Sequence, residues 1–88
     1  MVNPQAIKAA HDAIRTFPEG QWRSKSSIML NADRAVIPLT AFGSLLTLMA
    51  MEELVKQGKA FGRTVNGPSN YRVYCWRRHA KETGVDTG

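Results

Sequence analysis

Apolar residues at the beginning of the chain recur at the spacing of a helix. Asn3-Pro4 predicts where this helix begins, because asparagine caps helix N termini and proline fits the first helical turn. Pro18-Glu19-Gly20 predicts where the helix ends. The predicted apolar stripe of this first helix consists of Ile7, Ala10, Ile14 and Phe17.

Two more helices are predicted before any long strand. Residues 21–23 are long enough only for an edge strand, and Ser24 can cap a short second helix. The apolar face of that helix is formed by Ile28, Met29 and Ala32. Thr40 can cap a third helix that runs to about Gln57, and Gly58 then provides the left-handed residue that commonly follows a helix.

The last elements are predicted to be two strands. Residues 60–65 and 71–76 are rich in aromatic and β-branched side chains, and residues 66–70 between them are typical of a turn. Side chains alternate between the two faces of a strand, which predicts one buried face and one exposed face. We expect the core face to carry Tyr71, Val73 and Cys75, and the other face to carry Arg72, Tyr74 and Trp76.

The third helix carries apolar residues on two sides. Residues 35–51 include no charged side chain. At about 100° per residue, one apolar group consists of Phe42, Leu45, Leu46 and Met49. A second group, on roughly the opposite side, consists of Met51, Leu54 and Val55, with Leu48 at the margin. The first group is either core, packed against Ile7, Ile14 and Val36, or an interface with a second subunit or a protein partner.

Composition limits the class of protein. The chain has 88 residues and 43% hydrophobic residues, which predicts one small domain over residues 1–78 and a flexible tail over residues 79–88. The single cysteine, Cys75, cannot form an intramolecular disulfide. No cleavable signal is recognisable, so the cytoplasm is the expected compartment. Residues 35–51 are too short and too interrupted for a membrane span.

Positive charge is concentrated near the end of the chain. The formal net charge is +5, and no acidic residue lies between Lys59 and Lys81. The basic residues of this segment are Lys59, Arg63, Arg72, Arg77, Arg78 and Lys81. A helix followed by a basic hairpin is suited to contact a phosphate backbone, which makes double-stranded DNA the expected partner.

The order of these elements resembles that of a winged helix-turn-helix domain. Residues 51–58 resemble the end of its recognition helix, residues 59–76 resemble its wing, and residues 71–73 resemble the return strand of the wing. The resemblance covers about residues 4–77. It implies an α+β fold with three helices and a small antiparallel β-hairpin as the wing.

The resemblance also implies a DNA-binding transcriptional regulator that acts as a homodimer on a short symmetric operator. In this family the third helix enters the major groove, while the second helix and the wing contact the flanking backbone. The implied nucleic-acid-binding residues are Ser24, Lys25 and Ser26, then Thr40, Ser44 and Thr47, then Arg63, Asn66, Asn70, Arg72, Arg77 and Arg78. For each of them the alternative is a solvated surface residue without a ligand.

The third helix departs from the family pattern. A helix that recognises DNA bases exposes Arg, Lys, Asn or Gln, and residues 41–49 contain none of these. The alternative function is therefore a winged-helix module that binds protein, with its apolar third helix as the contact and its positive charge facing an acidic partner. Stand-alone domains that inhibit or adapt a larger complex, as some phage and plasmid products do, fit this alternative.

The remaining candidates are three aromatic residues and a histidine. Trp22, Tyr74 and Trp76 are candidate stacking platforms for single-stranded nucleic acid. Alternatively, Trp22 packs on the hairpin as part of a third strand, and Trp76 packs against the first helix. His11 has no neighbour suited to catalysis and is interpreted as scaffold. The sequence contains no catalytic or metal-ligand arrangement, so we expect neither an enzyme nor a cofactor.

Overall fold

The computed structural model describes residues 2–78, which form a small α+β domain with three helices and a three-stranded antiparallel sheet. The elements in chain order are α1 (Pro4–Ile14), β1 (Arg23–Ser24), α2 (Lys25–Leu30), α3 (Ala41–Lys56), β2 (Phe61–Val65) and β3 (Tyr71–Cys75). The predicted order of helices and strands is therefore confirmed. The predicted flexible tail, residues 79–88, lies outside the described residues.

The first helix begins as predicted but ends earlier. The Asn3 side chain accepts a hydrogen bond from the Gln5 N–H at 2.8 Å, which satisfies one of the amides that have no partner within the helix. The helix ends at Ile14, before Phe17. The following residues form a turn in which the Phe17 N–H donates to the Ile14 carbonyl. Phe17 packs against the core from this turn, so its apolar character reflects packing and not helix periodicity.

The third helix approaches the preceding chain closely at one glycine. Thr40 caps the helix, as predicted, by accepting a hydrogen bond from the Gly43 N–H at 3.1 Å. A Cβ atom added at Gly43 would lie 1.7 Å from the Pro38 carbonyl oxygen, so only glycine permits this approach. At the other end, Gly58 has a φ of 74°, the left-handed conformation predicted there.

The sheet has the strand order β1-β3-β2. The predicted edge strand is present, but it lies at residues 23–24 and shares only Arg23 with the predicted residues 21–23. Arg23 lies opposite Tyr74 and Ser24 lies opposite Val73. β2 and β3 form the predicted hairpin, and Arg63 lies opposite Val73 in its register. β3 is thus the central strand, and it connects the hairpin to the segment that precedes α2.

The faces of β3 differ from the prediction. Tyr74 is fully buried within the main core cluster, and Trp76 packs against that cluster. Tyr71, expected in the core, has 53% of its surface exposed. Arg72, expected in solvent, is half-buried and reaches α3. The face that packs on the helices is therefore the one that carries Arg72, Tyr74 and Trp76. The predicted burial of Val73 and Cys75 is confirmed, whereas the prediction was wrong for Tyr71 and for the face of Arg72 and Tyr74.

The faces of β3 were misassigned because the other face of the sheet contains buried side chains as well. Its buried residues are Phe61, Val73 and Cys75, which lie outside the main core cluster. The Arg77 guanidinium lies 5.0 Å from the centre of the Phe61 ring, and the Arg63 guanidinium lies 5.3 Å from that of the half-buried Trp22. An alternating pattern cannot distinguish the two faces when both contain buried side chains.

The main core lies between the helices and the sheet. Its largest buried side chains are Ile14, Ile28, Ile37, Met51, Leu54 and Tyr74. Thr47 is also fully buried, and its hydroxyl donates to the Gly43 carbonyl at 2.8 Å. Thr47 therefore offers no surface to DNA, which corrects its assignment as a nucleic-acid contact. Over residues 2–78, no helix is long and apolar enough to cross a membrane.

Candidate functional site

The exposed side of α3 is apolar. Phe42, Leu45 and Met49 have 63%, 51% and 40% of their surface exposed, and we call these three residues the apolar front. Leu46 is half-buried and packs against the core. The sequence left this side of α3 as either core or interface. The core alternative is therefore wrong for the apolar front and correct for Leu46.

The apolar front is exposed because the core uses the other side of the helix. The buried side of α3 consists of Gly43, Thr47, Ala50, Met51, Leu54 and Val55. α1 and α2 both pack against α3. At about 100° per residue, Leu45 and Met49 project away from this buried set. Leu39, just before the helix cap, is exposed as well. Within residues 2–78, nothing buries these side chains.

A groove of about 430 Å³ lies between α3, the N terminus of α2 and the start of β3. We call it the wing groove. Leu48 and Tyr71 form its apolar part. Its polar residues are Ser24, Lys25, Ser26, Asn70 and Arg72, all of which the family resemblance implied as nucleic-acid contacts. The fold thus brings candidates from α2 and from the hairpin together beside the exposed side of α3.

The other residues that the resemblance implied as nucleic-acid contacts do not line the wing groove. Thr40 is exposed but engaged as the helix cap, and Ser44 is half-buried. Arg63 and Asn66 are exposed on the hairpin, away from the wing groove. The exposed residues Arg77 and Arg78 line a separate groove at the end of β3. The twelve residues implied by the resemblance therefore do not form one continuous surface.

Arg72 is engaged within the domain. Its Nε lies 2.6 Å from Glu52 Oε2 and its Nη2 lies 3.0 Å from Glu52 Oε1, so the contact has two hydrogen bonds. The Tyr74 hydroxyl donates to the same carboxylate. A Cβ atom at Gly62 would lie 2.5 Å from Arg72 Nη2, so the glycine leaves space for the guanidinium. This contact links the hairpin to α3 and balances the charge of Arg72.

The same contact shifts the pKa values of its members. Burial alone raises the pKa of Glu52, but the hydrogen bonds from Arg72 and Tyr74 and the Arg72 charge outweigh burial, so the net shift is downward. Burial, followed by the hydrogen bond to Glu52, raises the pKa of Tyr74 well above its usual value. The hydrogen bond to Glu52 raises the pKa of Arg72. At neutral pH the group is therefore a carboxylate, a guanidinium and a neutral phenol.

Two residues of these surfaces, Glu52 and Arg15, were not identified from the sequence as part of a site. Glu52 contacts β3 from α3, and no local pattern indicates a contact between residues so far apart in the chain. Arg15 and Lys59 line the groove that contains Arg77 and Arg78. Their charge was visible in the sequence, but their proximity depends on how the end of α1 packs beside the turn after α3.

Within residues 2–78, no group of His, Cys, Asp and Glu side chains is arranged to hold a metal ion. Trp22 lies under the Arg63 guanidinium, and Trp76 is half-buried with its indole N–H donating to the Phe17 carbonyl at 2.7 Å.

Comparison of the chain with protein-family models, with curated proteins and with solved structures finds no match.

Proposed function

We propose that this protein is a winged-helix module that binds another protein through the apolar front of α3. The observation that carries the proposal is the exposure of Phe42, Leu45 and Met49 on one side of one helix. Contiguous exposed apolar side chains commonly mark interaction sites, because their burial in a complex is favourable by about 25 cal/mol per Å².

The element order supports the winged-helix part of the proposal. Three helices interleaved with a short strand and followed by a hairpin, with the sheet order β1-β3-β2, are compatible with that fold. The β2–β3 hairpin would be the wing, and α3 would be the helix that DNA-binding members of the family present to the major groove. The apolar front lies on that helix.

The chemistry of α3 favours protein over DNA as its ligand. Phe42, Leu45 and Met49 offer no hydrogen-bonding group of the kind that recognises base edges. The one basic residue of α3, Lys56, lies at the C-terminal end of the helix.

Charge around the apolar front favours an acidic partner. Lys25 lies in the wing groove beside Leu48, and Lys56 lies with Met49 in a second groove of about 290 Å³. Arg72 neutralises Glu52, which leaves Glu53 against the two lysines. A partner with an apolar patch and an acidic rim would complement this surface. The net charge of +5 makes a second copy of the chain less favourable, because like charges repel.

The test compares two variants of the full chain. Leu45→Ser/Met49→Ser removes most of the apolar front, and Leu30→Ser removes an exposed apolar side chain from the end of α2 as the control. A partner recovered with the wild-type protein is purified and titrated with each form. We expect the front variant to bind at least about 100-fold more weakly and the control to bind within about twofold, because central apolar anchors carry most interface energy.

Circular dichroism must show that both variants remain folded. Equal affinity of the wild-type protein and the front variant for the purified partner contradicts the proposal. Sedimentation velocity of the protein alone tests whether a second copy of the chain occupies this surface instead. A wild-type dimer that the front variant abolishes would assign the apolar front to a second copy of the chain.

DNA binding is the second candidate function, and the wing groove is the observation that favours it. Lys25 at the start of α2 and Asn70 on the hairpin lie there together. A duplex held in this way would be contacted mainly through its phosphates. The two cations of the groove, Lys25 and Arg72, predict a slope of log K against log salt of about −2 in fluorescence anisotropy. Affinity that does not change with salt excludes this candidate.

A further inference from the structure

A second surface of the domain combines positive charge with an aromatic ring. A groove of about 340 Å³ lies between the C-terminal half of α1, the turn after α3 and the end of β3. We call it the basic groove. Its cationic residues are Arg15, Lys59, Arg77 and Arg78, and it is also lined by His11 and Trp76. It shares no residue with the wing groove or with the apolar front.

Three cations of this groove, Arg15, Lys59 and Arg78, form no salt bridge with a carboxylate of the described part of the chain. Within residues 2–78, the salt bridges Lys8–Asp12 and Arg72–Glu52 involve none of these three. Glu19 is engaged by the backbone N–H of Arg78 at 2.8 Å. These three cations around one concave surface create a positive potential that an anion would relieve.

Arg15 and the backbone of Lys59 are held in place by contacts within the domain. Trp76 donates its indole N–H to the Phe17 carbonyl, and the Arg15 guanidinium lies 5.4 Å from the centre of the indole ring. Lys59 follows Gly58, whose left-handed conformation turns the chain, and its backbone N–H donates to the Leu54 carbonyl at 2.9 Å. The Arg15 guanidinium is therefore positioned before binding, which reduces the conformational entropy lost on binding.

The surroundings of His11 in this groove lower its pKa. Burial lowers its pKa first, and the charges of Arg15 and Lys59 lower it further, against a smaller opposite effect of Asp12. His11 is therefore neutral at neutral pH. The direction of the shift agrees with a groove in which a further positive charge is unfavourable.

We infer that the basic groove binds a phosphate group, supplied either by a nucleic-acid backbone or by a free phosphate compound. Guanidinium groups match the geometry of phosphate oxygens with paired hydrogen bonds. A phosphate has more negative charge and more acceptor oxygens than a single carboxylate, and it can engage several of these cations together. This inference does not depend on the function proposed for the apolar front.

The test uses the full chain with the Trp22→Phe substitution, so that Trp76 is the remaining tryptophan. Pyrophosphate, a mixed-sequence single-stranded oligonucleotide, the corresponding duplex and an oligoglutamate peptide are titrated separately, and Trp76 fluorescence is recorded. We expect the phosphate compounds to change this fluorescence at saturable concentrations. An oligonucleotide that binds at least about tenfold more tightly than pyrophosphate identifies the nucleic-acid backbone as the source, and equal affinities identify a free phosphate compound.

Charge-matched variants distinguish a specific phosphate site from nonspecific electrostatic attraction to the protein. Lys59→Gln/Arg78→Gln removes two exposed cations of the groove, and Arg34→Gln/Lys56→Gln removes two exposed cations outside it. We expect the first variant to weaken phosphate binding by about tenfold or more and the second by less than about twofold. Lys59→Gln alone repeats the test with the smaller change. Equal losses in the two double variants, or oligoglutamate binding as tightly as the phosphate compounds, would overturn the inference.

Discussion

The apolar front and the basic groove belong to one small domain but arise in different ways. The front is one face of the longest helix, and its residues follow each other at helical spacing. The groove is assembled from α1, the turn after α3 and the end of β3. A helical wheel groups the residues of the first surface without showing whether they are exposed, whereas the residues of the second come together only in the folded chain.

The comparison also shows what charge in a sequence does not reveal. The basic residues of the hairpin region suggested one phosphate-binding surface, but the fold uses them in different places. Arg72 is paired with Glu52 on α3, and Arg63 lies over Trp22 on the other face of the sheet. Arg77 and Arg78 line the basic groove instead. Charge density along the chain therefore overestimates the charge that any one ligand would encounter.

The largest expected effect concerns the contact between Pro38 and α3, the helix that carries the apolar front. Gly43→Ala should reduce the free energy of unfolding by about 3 kcal/mol, because the added Cβ would collide with the Pro38 carbonyl oxygen. Within an ordinary helix the same change stabilises by about 1 kcal/mol, so the sign of the effect is informative. Urea denaturation measures it. A stabilised variant would show that α3 does not lie against Pro38.

A smaller effect is expected where α3 meets the hairpin. Arg72→Ala should reduce the free energy of unfolding by about 1 kcal/mol, because it removes two charge-assisted hydrogen bonds from a half-exposed carboxylate. Chemical denaturation of the variant and of the wild type checks this value. Arg63→Ala is the control, since Arg63 is exposed and forms no salt bridge within residues 2–78.

The pH dependence of stability provides an independent check of this contact. The pKa of Glu52 is lower in the folded protein than its usual value of 4.5. Its contribution should therefore be complete above about pH 4.5 and should be lost as the pH falls through the folded pKa. The Arg72→Ala variant should lose less stability over this acid range than the wild type. Parallel pH profiles of the two proteins would contradict the assignment.

Changes in the apolar front should barely affect stability. Leu45→Ser should alter the free energy of unfolding by no more than about 0.5 kcal/mol, because half of the side chain is already in contact with water. Leu54→Ser, on the buried side of the same helix, is the matched control and should cost several-fold more. Similar losses in the two variants would place Leu45 in the core.

The smallest expected effect is on anion binding by the basic groove. Sulfate should bind more tightly as the pH falls from about 8 to 5, because protonation of His11 adds a positive charge beside Arg15 and Lys59. A rise of a fewfold in affinity is expected, and it should be reduced in His11→Gln. Calorimetric titration across this range measures the effect. The same pH dependence in both proteins would exclude a role for His11.

Local features of the fold were predictable from the sequence. Asn3, Ser24 and Thr40 act as helix caps at the predicted positions, because capping involves only the next few residues. Gly58 ends α3 for the same local reason. The two strands of the hairpin were also placed within a residue or so, since their turn is encoded between them.

Features that depend on contacts between distant segments were not predictable in the same way. The orientation of β3 was assigned incorrectly because Trp22 and the hairpin arginines cover the outer face of the sheet. Thr47 seemed to be a surface residue, but its hydroxyl is satisfied by the Gly43 carbonyl inside the core. The apolar front was left with two alternatives because helical spacing alone does not show which side α1 and α2 cover.

The central claim is that the exposed side of α3 is a protein-binding surface and that phosphate is bound elsewhere. The most direct measurement is an NMR titration of the ¹⁵N-labelled full chain with single-stranded and duplex oligonucleotides of mixed sequence. We predict that the backbone amides of Arg15 and Lys59 in the basic groove shift, while those of the apolar front do not. Saturable shifts across Phe42, Leu45 and Met49 would make α3 a DNA-contacting helix and would contradict the claim.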